Sequence, residues 1–248
     1  MSSNQNPETS FGGDPIPQSD EMNELSGHLQ LKQYKGRCSF LFMFAVLQTV
    51  IGFQLGYIFC YTNQITPALN ARFGWDKHEA TINESIIGSA STLTLMIAAA
   101  LTGALMKSGR RRVLILSAFI GIVGSVISMY ETFATIVIGK MIYGFSVGII
   151  AIGMPRVMEE TVPGSMVGFY GGLYCVSFAA ATLLAFMMAI FMPDDDNLEA
   201  LAKTEVVQVV FGLPIVFYVI QLILQFTYFN VDTPKYLLLT NQRPQAMQ

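Results

Sequence analysis

Charge is what this 248-residue chain lacks most. Only 12% of its residues are Asp, Glu, Lys or Arg, while 52% are apolar. Soluble domains carry about twice that charge. So few charges could not cover the core of a soluble domain of this length, and the mean hydropathy is +0.49. Cysteine is scarce too. Cys38, Cys60 and Cys175 lie far apart, with no CxxC spacing, so neither a disulfide framework nor a zinc site is expected. The two histidines, His28 and His78, fall outside every apolar run. That removes the His an intramembrane serine protease needs beside its Ser, and no metal-ligand spacing appears. The net charge is −3 and the basic residues sit in short blocks, which argues against nucleic acid as a partner. Neither an enzyme nor a cofactor is expected. Neither a filter loop nor a charged ring marks an ion channel.

Long apolar runs are what the chain has. Residues 1–37 are polar and read as a disordered cytoplasmic tail. Because the first apolar run begins only near Cys38, no signal peptide is expected, and Ser2 excludes N-myristoylation. Six spans follow at about 38–61, 83–106, 113–130, 133–155, 165–192 and 206–229. Each approaches or exceeds the roughly 20 residues that cross a hydrocarbon core. Backbone groups in lipid must be satisfied within their own segment, so the spans are expected to be helices. Alternating strands of about ten residues, the mark of a membrane barrel, are missing.

Basic residues set the expected orientation. With the tail cytoplasmic, ten Lys and Arg fall on the inner side, including Lys107, Arg110, Arg111, Arg112, Arg156, Lys235 and Arg243. Three, Arg72, Lys77 and Lys203, fall on the outer side, and Lys140 lies inside span 4 near its outer end. The excess predicts that both termini are cytoplasmic. The outer loop between spans 5 and 6 is acidic, and Trp75 falls at the expected outer interface.

Small residues recur four apart: Gly52 and Gly56, Gly144 and Gly148, Gly168 and Gly172, and Ser117, Gly121 and Ser125. Such pairs let helix backbones approach, and packing alone explains most of them. Gln54, Tyr57 and Tyr61 share one side of span 1. That polar face suits either a cavity for a hydroxylated neutral solute or hydrogen bonds to a neighbouring helix.

Several segments resemble one family. Gln54-Leu55-Gly56-Tyr57 is similar to the Q-F-G-Y of the first helix of sugar porters. Gly109-Arg110-Arg111 resembles the end of their D-R-x-G-R-R. Gly139-Lys140, Gly144 and Gly148 resemble G-R-x-x-x-G-x-x-x-G, and Pro155, Glu160 and Pro163 resemble P-x-x-x-x-E-x-x-P. Asp232-Thr233-Pro234-Lys235-Tyr236-Leu237-Leu238 resembles P-E-S-P-R-Y-L-L. The order of these segments is that of the sugar porter branch of the major facilitator superfamily, over roughly residues 38–240.

The resemblance implies an all-α integral membrane fold: six transmembrane helices as two inverted three-helix repeats, half of a twelve-helix transporter. Residues 38–229 would form the bundle and 230–248 the start of a cytoplasmic linker. It implies facilitative transport of a hexose or related neutral sugar or polyol by alternating access, in the plasma membrane rather than an organelle. The partners implied are the sugar, the bilayer, and a missing C-terminal half or a second copy. Gln54, Tyr57, Tyr174 and Cys175 would line the solute site. Lys107, Arg110, Arg111, Glu160, Asp232 and Lys235 would form a cytoplasmic latch that pairs in the outward-facing state, although the arginines also serve topology.

Departures from the pattern matter as well. Ile58 stands where proton-coupled members carry Asp, which points to passive transport. Met106 replaces an acid or amide, Lys107 an Arg, Val167 an Arg, and Cys175 the fifth-helix Gln. A thiol is a poorer hydrogen-bonding group than an amide. The alternative reading is a non-transporting truncated membrane protein that binds or regulates a partner.

Overall fold

The computed structural model describes residues 38–130, 132–193, 201 and 204–229. The tail at 1–37, the acidic residues 194–196, and Asp232 and Lys235 lie outside the described residues. Among the described residues, six helices are each long and apolar enough to cross a membrane. They are α1 (Cys38–Phe73), α2 (Lys77–Leu105), α3 (Arg110–Ser128), α4 (Phe133–Thr161), α5 (Gly164–Met188) and α6 (Val206–Thr227). Short 3₁₀ turns, Met106–Ser108 and Ala189–Phe191, continue α2 and α5. No strand occurs among the described residues.

Three helices outrun the apolar spans expected from sequence. α1 continues twelve residues past 61, through Thr62, Asn63, Gln64 and Pro67. Hydropathy falls there, but Ile65, Ala68 and Leu69 keep the helical spacing and are fully buried. The extension is therefore an amphipathic helix end packed on the bundle. α1 stops at Gly74, whose φ of 64° suits glycine and whose N–H reaches the Asn70 carbonyl. α4 likewise runs to Thr161, past Pro155. α2 begins at 77 rather than 83, because its first polar turn is exposed while Ala80 packs inward.

Close approach of glycines sets the helix pairs. A Cβ on Gly52 would lie 2.8 Å from the Tyr174 carbonyl oxygen, and one on Gly56 would overlap that of Phe178. α1 thus lies directly on the α5 backbone. Gly144 and Gly148 repeat the device, meeting the Ser91 and Leu95 carbonyls of α2. Gly121 of α3 receives the Tyr218 ring of α6, and Gly124 and Gly139 bring α3 against α4. Exchanging α1–α3 with α4–α6 maps α1 on α5 onto α4 on α2, and α3 on α6 onto itself. The chain is built as two inverted three-helix repeats. Among the described residues, Gly168 and Gly172 meet nothing within 4 Å and take no part in this packing.

Candidate solute site and helix-end latch

The polar face of α1 points at α6. Gln54 Nε2 donates to Gln221 Oε1 at 3.0 Å, and Gln221 Nε2 donates to the Leu114 carbonyl of α3 at 3.0 Å. Tyr57 donates its hydroxyl to the Val210 carbonyl at 3.0 Å, which commits its only proton. Tyr143 of α4 donates to the Gln54 carbonyl at 3.2 Å. Gln54, Tyr57 and Tyr61 are all buried. Tyr61 stacks on Tyr57 and meets Phe211 of α6 edge-on.

Two of the four solute-site candidates keep an unused polar atom. Gln54 Oε1 and the Tyr174 hydroxyl are buried and have no hydrogen-bond partner among the described residues. An unpaired polar atom of this kind costs about 1–3 kcal/mol, so a ligand hydroxyl that satisfies it gains that amount. Cys175 is exposed on α5. Ile58 is buried apolar surface, with 4% exposure.

Groups on α4 complete the interior. Ser146 donates to the Ser117 carbonyl at 2.6 Å and lies 2.9 Å from the Tyr218 hydroxyl. Lys140, 1% exposed, donates to the Thr62 hydroxyl, and its ammonium sits 4.9 Å from the Tyr61 ring centre. Sequence reading singled out neither Gln221 nor Tyr143. Gln221 could have been found by applying to span 6 the rule used on span 1, that polar groups inside a span face protein rather than lipid.

At the α2–α3 turn, Gly109 adopts a φ of 124°, which favours glycine. Arg110 opens α3 there and grips Glu160 near the end of α4 by two parallel bonds, Nε to Oε2 and Nη2 to Oε1, both 2.9 Å. Bidentate, charge-assisted geometry fixes orientation as well as strength. Arg110 Nη1 also donates to the Met106 carbonyl at 3.2 Å. Arg111 instead turns to α6, where its guanidinium reaches the Gln225 carbonyl at 3.2 Å and lies 5.7 Å from the Phe226 ring. Cations near a helix C-terminus are favourable. Lys107 is exposed. Of the latch residues within the described part of the chain, Arg110 and Glu160 are the two brought together.

The model of the "Sugar (and other) transporter" family matches residues 44–248. This chain belongs to that family. Hexose transporter 1 of Plasmodium vivax (strain Brazil I) is 22% identical over 207 residues, covering 79% of this chain and 41% of the relative. Hexose transporter 1 of Toxoplasma gondii is 25% identical over 227 residues, covering 85% of this chain and 39% of the relative. A solved structure of the proton:xylose symporter XylE bound to 6-bromo-6-deoxy-D-glucose superposes with a TM-score of 0.72 at 18% identity. It covers 84% of this chain and 48% of that one. The chain thus spans about half the length of the sugar transporters it matches. Its six helices have the fold of half a transporter, and it is an integral, multi-pass membrane protein.

Proposed function

We propose that this chain forms the N-terminal six-helix half of a facilitative transporter for a hexose or a related neutral sugar or polyol. The reading rests on family membership, and one observation carries its chemistry: the unused acceptor of Gln54 and the unused hydroxyl of Tyr174. Both suit a solute whose own hydroxyls donate and accept, and neither asks for a fixed charge. Tyr57, with its proton committed to Val210, offers the solute only a lone pair. Cys175 lies on the exposed face of α5 beside Tyr174 and contributes a weak donor.

Passive transport follows from Ile58. The position that resembles the coupling acid of proton-driven members carries a buried alkyl group, and a proton-coupling site needs a protonatable group there. Alternating access also needs a second body to rock against. The missing C-terminal half or a second copy would supply it. The ten inner-side Lys and Arg favour both termini cytoplasmic, and we assign the protein to the plasma membrane rather than an organelle. The pair Arg110–Glu160 serves as the inner latch, to which we also assign Asp232 and Lys235.

Uptake by the full-length protein tests the reading. Hexose uptake should equilibrate without accumulating and should survive a protonophore. Gln54→Leu should reduce it by about 1–3 kcal/mol in apparent solute affinity, the value of one lost hydrogen bond to a buried group, with membrane insertion unchanged. Accumulation above equilibrium that a protonophore abolishes overturns the passive reading. Unaltered uptake in Gln54→Leu removes Gln54 from the site.

A further inference from the structure

Pro214 is buried inside α6, between residues 206–213 and 215–227. Proline has no backbone N–H. The Val210 carbonyl, four residues earlier, therefore lacks the donor that an uninterrupted helix would give it. Tyr57 of α1 takes that place, donating its hydroxyl to the Val210 carbonyl at 3.0 Å. Tyr57 and Val210 are each 1% exposed, and a carbonyl at that depth needs a partner. The Tyr57 ring is aimed by its neighbours on α1, since it stacks on Phe53 on one side and on Tyr61 on the other.

The two halves of α6 are held differently. Past Pro214, Gln221 accepts from Gln54 and donates to the Leu114 carbonyl. The Tyr218 ring covers Gly121, with its hydroxyl 2.9 Å from that of Ser146, and Arg111 bonds the Gln225 carbonyl. These ties reach α1, α3 and α4. Ahead of Pro214, Val207, Val210 and Phe211 are buried by apolar contact, which has no preferred direction. Among the described residues, Tyr57 makes the one side-chain hydrogen bond from another helix to residues 206–213. α3, the counterpart of α6 in the other repeat, has no proline.

We propose that α6 hinges at Pro214 and that Tyr57 is a positioning residue for transport. Its hydroxyl holds residues 206–213 against α1, and its release from the Val210 carbonyl frees that half of α6 to move. A proline interrupts the ladder of bonds that stiffens a helix, and a hinge is a short stretch that absorbs backbone change between two firmer parts. The bond to Val210 comes from outside α6, so it can open without unwinding the helix. Tyr57 thus acts on solute exchange through α6, in addition to any contact its lone pair makes with solute. The hinge stands on the geometry alone, and its part in transport rests on the proposed function above.

The test uses the full-length protein as wild type, Tyr57→Phe, Pro214→Ala and the double variant. Tyr57→Phe removes only the hydroxyl, and Pro214→Ala returns the N–H that the Val210 carbonyl lacks. Hydrogen–deuterium exchange needs no sugar. Tyr57→Phe should raise exchange in residues 206–213 and leave 215–227 unchanged, and in the Pro214→Ala background it should change neither. Equal changes on both sides of Pro214, no change on either side, or the same change in both backgrounds overturns the hinge. Hexose exchange in proteoliposomes reads the role in transport. Tyr57→Phe should raise the maximal rate about fivefold, the factor one net hydrogen bond is worth, and Pro214→Ala should abolish that gain. A maximal rate that is unchanged or lowered, or raised equally in both backgrounds, overturns the positioning role. A shifted half-saturating concentration at unchanged maximal rate is what a hydroxyl acting only as a solute ligand gives. A wild type that carries no hexose overturns the proposed function, and hydrogen–deuterium exchange then decides the hinge by itself.

Discussion

The seams α1–α5 and α4–α2 solve one packing problem twice and one polar problem differently. In each, two glycines four residues apart rest on two backbone carbonyls four residues apart: Gly52 and Gly56 on Tyr174 and Phe178, Gly144 and Gly148 on Ser91 and Leu95. Aligning the glycine pairs sets Gln48 opposite Lys140 and Gln54 opposite Ser146. There the likeness ends. Lys140 bonds Thr62, and Ser146 bonds the Ser117 carbonyl. Gln48 Nε2 and Gln54 Oε1 have no such partner among the described residues. Backbone contact is what the repeats share, because either repeat needs it to pack in lipid. Among the described residues, the unspent side-chain capacity of these two seams lies on α1 and α5 and not on α4 and α2, and α1 and α5 are where we assign ligand chemistry.

Filling the shared contact should give the largest effect. Valine at Gly56 or at Gly148 puts a side chain into a backbone carbonyl, which no rotamer can relieve. Overpacking of this kind costs about 3 kcal/mol or more. Both variants should lose yield of monodisperse protein in gel filtration and melt at lower temperature, and by similar amounts. A large loss in one and none in the other would break the equivalence of the seams.

The ion pair at the ends of α3 and α4 comes next. Glu160→Gln preserves size and one acceptor but removes the Glu160 charge from the bidentate pair with Arg110. Glu160 is 5% exposed and Arg110 13%. Partial solvent access keeps the expected loss near 2 kcal/mol, within the range for hydrogen bonds to charged groups. Melting temperatures of the wild type and variant should differ by less in molar salt, where the exposed part of the interaction is screened. A difference independent of salt would assign the effect to packing.

How far the sequence reaches can be judged from particular residues. Spans starting at 38, 133 and 206 are legible because each apolar run begins at a polar boundary. The ends of α1 and α4 are not, since a helix continues past the hydrocarbon wherever one face still finds core, as Ile65, Ala68 and Leu69 do. Arg110 and Glu160 are visible as parts of two motifs, fifty residues apart in the chain. The partner of Gln54 is not, because Gln221 lies 167 residues away in a run read as simply apolar. Local pattern reports which groups a helix carries. It does not report which neighbour satisfies them.

The smallest effect is expected at Gly168 and Gly172, which share the spacing of the other glycine pairs but face open space among the described residues. Spacing alone cannot separate the cases, since four-residue intervals align small residues on a helix face whether or not anything covers it. Gly168→Ala and Gly172→Ala should therefore leave the melting temperature unchanged or raise it slightly. Alanine removes backbone freedom from the unfolded chain, worth about 0.4–1 kcal/mol where nothing opposes the methyl group. The same substitution at Gly52 sets a methyl 2.8 Å from the Tyr174 carbonyl and should lower the melting temperature. If Gly168→Ala in the full-length protein proves as damaging as Gly52→Ala, then a helix outside these six packs on that face of α5. The exposed Phe169, Val176 and Leu183 would then belong to an interface rather than to lipid.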